Sequence, residues 1–197
     1  MEPYLYHGIR DYNLDRLINI LKCGYILPKK MLPDNFKVYR KKQLDLNGIS
    51  WISLSQKSLY DDYLGEINPS SFDTHIYNHP CIVINPNIEG KVLTSHIFYD
   101  YYGPDYLKSL LNDESNDRYS TYMDEVQTNI PIPINKFLAV GYPIDYFKNN
   151  KSSKEIKSDI EIIKKLIKSA KLDIPIVDSS NYEFADNKEK IKKYTIH

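Results

Sequence analysis

The apolar residues of this chain come mostly in short runs, and that constrains its architecture more than any other feature. Cys81-Ile82-Val83-Ile84 is unbroken and closed by Asn85-Pro86. A run of that length is too short for a helix and fits a strand buried on both faces. Residues 137–141, Phe-Leu-Ala-Val-Gly, are another strand candidate. Residues 49–55 mix Ile, Trp and Leu with small hydroxyls, a strand with one edge left open to a ligand. Further strand candidates are 3–8, 91–95, 124–131 and 174–177, the last at a sheet edge because it contains a proline.

Helical periodicity is confined to two places. Leu14, Leu17, Ile18 and Leu21 recur at helical spacing, with Asn13 in the capping position and Gly24 where a left-handed residue ends a helix. Ile156, Ile160, Ile163, Ile167 and Ala170 mark one face of a helix over 153–172. Residues 148–154 read as a linker or turn, and the last fifteen, polar and lysine-rich, as a frayed helix. Residues 99–122 read as a long, partly ordered loop with a short helix around 106–111. Many short strands and few helices predict an α+β fold with a mixed sheet, not a doubly wound parallel one.

The chain has 197 residues, the length of a single domain spanning 1–197 and large enough to bury a core without disulfide or metal. Its 26 basic and 26 acidic side chains cancel, so no global field drives it onto nucleic acid or a membrane surface. The charge is uneven: 29–42 is basic and the middle of the chain acidic. Cys23 and Cys81 lack C-x-x-C spacing, which disfavours a zinc or dithiol site. The N-terminus has no signal-peptide pattern and no segment is apolar enough to span a bilayer, so a cytoplasmic protein without membrane partners is expected.

Several chemistries are disfavoured at once. Glycine-rich dinucleotide and Walker motifs, a G-x-S-x-G elbow and H-E-x-x-H are all missing. His75 and His79 stand four apart, but Pro80 argues against the helix a shared metal would need, so no metal is expected. Three elements remain. Tyr6-His7-Gly8 ends the first strand and is followed by a helix. Ser53-Leu54-Ser55 lies mid-chain, with Tyr60 and Tyr63 after it. Glu125 opens a late strand, with Gln127 two residues on.

In this order these elements resemble the ADP-ribosyltransferase superfamily, in particular its His–Tyr–Glu, poly(ADP-ribose) polymerase-like branch. Leu5-Tyr6-His7-Gly8, Leu17, Ile20-Leu21 and Gly24-Tyr25 look like that family's first strand and helix. Glu125-Val126 with Ile130-Pro131 and Ile134 looks like its catalytic-glutamate strand. The resemblance covers 4–142; the 153–172 helix is an extension, and 143–197 lies outside it. It implies a split, mostly antiparallel sheet and NAD as co-substrate, whose nicotinamide–ribose bond is cleaved and whose ADP-ribose passes to a protein or nucleic-acid acceptor. A bacterial toxin, effector or phage-defence role fits the family's habit.

The resemblance also assigns roles. His7 would bond a ribose hydroxyl, and Gly8, lacking Cβ, would let its backbone approach the nicotinamide amide. Ser53 and Ser55 match the family's small hydroxyls, and Tyr60, ahead of Tyr63, would stack on the nicotinamide ring. Glu125 would grip the ribose 2′-hydroxyl as positive charge develops. Tyr119, Tyr122 and Gln127 fall where the family recognises its target. Gln127 replaces the second acid of the arginine-specific E-x-E pattern, which argues against arginine as acceptor. The basic stretch 29–42 would lie over the dinucleotide phosphates. The competing expectations are a non-catalytic dinucleotide- or ADP-ribose-binding module, such as an antitoxin, and an NAD glycohydrolase with water as acceptor.

Overall fold

A computed structural model describes residues 4–9, 14–28, 31–32, 52–56, 79–94, 125–181 and 183–197. They form β1 (Leu5–Gly8), α1 (Asp15–Cys23), β2 (Tyr25–Ile26), β3 (Ile52–Gln56), β4 (Cys81–Ile84), β5 (Val92–Thr94) and β6 (Glu125–Thr128). There follow β7 (Ile132–Pro133), a 3-10 turn, β8 (Phe137–Tyr142), α2 (Ile144–Lys148), α3 (Ser153–Ser169), β9 (Ile176–Asp178) and α4 (Lys188–Lys193). The fold is α+β. Seven strands make one sheet in the order β5-β6-β3-β1-β4-β8-β9, antiparallel throughout except for the parallel pair β8–β9. β2 and β7 make a separate two-stranded ribbon. No helix among the described residues is long and apolar enough to cross a membrane.

Strand alternation explains the apolar runs. Ile82 and Ile84 of β4 join the core under α1 and α3, whereas Cys81 and Val83 join a second core on the opposite face. Both faces of β4 are therefore covered, which is why its sequence shows no polar alternation. In β3 and β6, Ile52, Leu54 and Val126 are buried on the helix side, and polar positions alternate with them.

α1 ends as its glycine predicts: Gly24 is left-handed, with φ 79°, and its N–H reaches the Ile20 carbonyl. Its start differs from expectation. The capping position is Leu14, itself left-handed and without a side-chain cap bond; Asn13 lies outside the described residues. Leu14 is buried in the helix-side core, so packing outweighs capping chemistry here. α3 starts on a capping box. Ser152 Oγ accepts from the Glu155 N–H, and Glu155 Oε2 accepts from the Ser152 N–H at 2.8 Å. These bonds from Ser152 hold the Glu155 carboxyl below its usual range. Ile156, Ile160, Ile163 and Ile167 are buried as expected, while Ala170 is the C-cap.

Residues 148–154 hold the expected turn: α2 ends at Lys148 and the α3 cap lies at Ser152. The C-terminal segment, by contrast, is not frayed. Phe184, Ala185 and Ile191 pack on Tyr4, Tyr6 and Val177, and the Tyr6 hydroxyl donates to the Ala185 carbonyl at 3.0 Å. Three apolar anchors in a lysine-rich stretch suffice because the rest of α4 remains at the surface.

Gly141 pairs with Cys81 across β8 and β4, and a Cβ there would overlap the Cys81 Sγ and crowd Ser179 and Phe184. Gly141→Ala is expected to cost about 1–3 kcal/mol by overpacking, read as a lower urea midpoint with unchanged m-value.

A polar cluster ties β8, α2 and α3 together. The Tyr142 hydroxyl donates to Asp159 Oδ2 at 2.7 Å, and Lys151 Nζ approaches the same oxygen at 2.6 Å while lying 4.6 Å from the Phe147 ring centre. Burial, and then the hydrogen bond to Asp159, push the Tyr142 phenol well above its ordinary value. In the unfolded chain the phenol ionises near pH 10.0, whereas in the fold it keeps its proton. Above that pH the unfolded state binds fewer protons, so stability is expected to fall as pH rises, by up to about 1.4 kcal/mol per unit. Tyr142→Phe should flatten that alkaline limb in denaturation measured between pH 8 and 11.

Candidate functional site

The three sequence elements are far apart in the chain and adjacent in the sheet. β1, β3 and β6 are consecutive neighbours. Tyr6 pairs with Ser55, Ser55 with Glu125, and Glu125 with Thr94, forming one row across four strands. Ser53 pairs with Gln127. His7 and Gly8 pair on their other side with Ile82 and Cys81. The position of Glu125 is thus two strands from β1, about 10 Å at the usual strand spacing.

The pairing between β1 and β3 is short. It covers Leu5↔Gln56 and Tyr6↔Ser55 and stops there. Beyond that row β1 continues with β4 through Gly8, and β3 continues with β6 through Ile52. His7 and Gly8 are therefore the first residues past the end of the β1–β3 ladder. His7 is half-buried and makes contacts within the fold. It stands one residue out of step with the Tyr6–Ser55–Glu125 row. In a ladder paired without interruption, that stagger would assign the positions of His7 and Glu125 to opposite faces.

Ser55 is half-buried. Gln127 is 5 % exposed and held by contacts within the fold. It sits inside the sheet, not on an open surface. Thr128, next along β6, is fully buried, its hydroxyl donating to the Glu89 carbonyl at 2.8 Å. Tyr60, Tyr63, Tyr119, Tyr122 and the basic stretch 29–42 apart from Met31 and Leu32 lie outside the described residues, as does His75. His79 is buried just before β4, its ring 6.2 Å from that of Tyr146.

Two neighbours of the site escaped sequence reasoning. Thr94 brackets Glu125 from the outer strand, and β5 is too short for its pairing to be legible. The β2–β7 ribbon pairs Tyr25 with Pro133 and Ile26 with Ile132, and the Ile134 N–H reaches the Gly24 carbonyl at 2.9 Å. It joins the end of α1 to the chain leaving β6. The signal for it was a pair of apolar dipeptides flanked by glycine and proline, too short to be read as strands.

A cleft of about 470 Å³ lies elsewhere, between the C-terminal end of α3, the start of β9 and residues Thr195 and Ile196. β9 is at the edge of the sheet opposite β5 and β6, so this cleft is distinct from the row through Glu125. Compared with known proteins, the chain matches no family model and no curated sequence.

Proposed function

We propose that this chain is an ADP-ribosyltransferase-like domain that cleaves the nicotinamide–ribose bond of NAD and transfers ADP-ribose to a macromolecular acceptor. One observation carries the reading. The strands bearing His7-Gly8, Ser53 and Ser55, and Glu125 are successive neighbours, and the ladder between the first two ends immediately before His7. The resemblance implies a split sheet, and the short β1–β3 ladder is where such a split would fall. The β2–β7 ribbon adds support, because it joins two pieces of the resemblance, Gly24-Tyr25 and the segment from Ile130 to Ile134.

The chemistry follows from charge. Breaking the C1′–N bond releases neutral nicotinamide and leaves positive charge shared between C1′ and the ring oxygen. A Glu125 carboxylate on the 2′-hydroxyl interacts more strongly with that state than with the ground state, and so lowers the barrier. The acceptor's nucleophile then bonds to C1′ and gives up its proton to solvent water. His7 would hold the ribose at the opening between the half-sheets, and the Gly8 backbone the carboxamide. Gln127, being buried, is assigned to positioning β6 against β3. The reading requires β1 to turn away from β3 past Tyr6, since the one-residue stagger would otherwise separate His7 from Glu125.

The test is incubation of the full chain with NAD labelled on the adenylate phosphate, with and without cell lysate. Label on protein or nucleic acid is expected, with one nicotinamide released per label transferred. Label appearing only as free ADP-ribose would make the chain a glycohydrolase. Absence of nicotinamide release under both conditions would sink the enzymatic reading. His7→Ala should raise KM for NAD by about tenfold, the loss of one or two hydrogen bonds to substrate.

A further inference from the structure

The cleft at the far edge of the sheet combines an apolar floor with a line of cations. Ile167 and Ile176 are buried beneath it, and Leu172, Ile174, Pro175 and Ile196 are half-exposed along it. Lys164, Lys168 and Lys171 edge it at positions i, i+4 and i+7. Lys164 has a surface partner in Glu161 at 3.2 Å, a pair of little energetic weight. Lys168 and Lys171 have no ion pair among the described residues. Asp173 is on the same connection but does not line the cleft.

Lys171 is unusual in its backbone. With φ 56° it is left-handed, directly after the C-cap of α3, where glycine is the low-strain residue. Holding a lysine there costs about 1 kcal/mol. The carbonyl end of a helix also repels anions, and three lysines reverse that local field.

We propose that this cleft binds an acidic segment of a partner protein, with one apolar side chain on the floor and carboxylates along the lysines. Lys164 and Lys168 lie about 6 Å apart in helix rise and Lys171 follows past the cap, a spacing that suits carboxylates on alternate residues of an extended chain better than one compact head group. Lysines present point charges and not the planar forks that select phosphate. This interaction is independent of the NAD chemistry proposed above.

The probe is a short fluorescein-labelled peptide alternating aspartate and leucine, titrated with the full chain at low salt and read by fluorescence anisotropy. Saturable binding is expected, weakening as salt is raised. Lys168→Glu with Lys171→Glu should weaken it at least tenfold. Lys171→Gly is the discriminating variant: it should raise Tm by relieving the backbone while weakening peptide binding several-fold, two changes that a purely structural role would not combine. An aspartate–serine peptide should bind at least fivefold more weakly. No saturable binding, equal binding of the serine peptide, or unchanged affinity in the double charge reversal would each overturn the proposal, as would displacement of the peptide by equimolar decanoate or inorganic phosphate.

Discussion

Glu125→Gln is expected to reduce nicotinamide release by about 10²–10³-fold while leaving NAD affinity within about threefold. The change keeps the shape of the side chain and its ability to meet a hydroxyl, and removes only the negative charge. A carboxylate that acts on developing positive charge contributes chiefly in the transition state, so the loss should fall on kcat with KM nearly unchanged. Glu125 opens β6, paired in register with Ser55 and Thr94, in the same row as Tyr6. The measurement is initial-rate nicotinamide release, paired with calorimetric titration of NAD into the variant. Equal rates in the two proteins would remove Glu125 from the chemistry. Loss of NAD binding along with turnover would assign it to ground-state binding instead. Neither outcome would touch the proposed acidic-peptide cleft, which lies at the other edge of the sheet.

Phe184→Ala should be the most damaging single truncation at the back of the sheet, costing about 3–5 kcal/mol and lowering Tm by roughly 6–20 °C. Phe184 is fully buried, with its ring 5.7 Å from that of Tyr6 in an edge-on arrangement. It closes the core formed by Cys81, Val83, Ala139 and Val177. Removing it opens a cavity beside Gly141, which has no side chain of its own to fill the space. Tyr6 adjoins His7, so local loosening of β1 should also raise KM for NAD if the proposed site is correct. Thermal unfolding followed by circular dichroism checks the first effect. A Tm within 2–3 °C of the parent would mean that the C-terminal segment contributes little to the sheet.

Much of the architecture was legible residue by residue. The buried strand at 81–84, the strand from 137, and the isoleucine stripe of α3 declare themselves because each meets a single, local requirement: an apolar surface with the period of its element. Gly24 is readable for the same reason, since one residue's backbone freedom sets the helix end. The start of α1 was not, because Leu14 is held by tertiary burial and not by local hydrogen bonding. The C-terminal segment was missed because its anchors, Phe184, Ala185 and Ile191, follow no period; they match the contour of a sheet built largely from residues more than forty positions earlier.

The candidate site divides along the same line. His7, Gly8, Ser53, Ser55 and Glu125 could be picked from the chain by residue type and order. Strand neighbours, register and the row at which the β1–β3 ladder ends depend on pairings between segments such as Tyr6 with Ser55 and Ser55 with Glu125, and no local preference encodes them. Residue chemistry and element type are thus properties of the sequence read locally. Which residues share a row, and where each ladder ends, were decided only when long-range burial selected one arrangement of the strands.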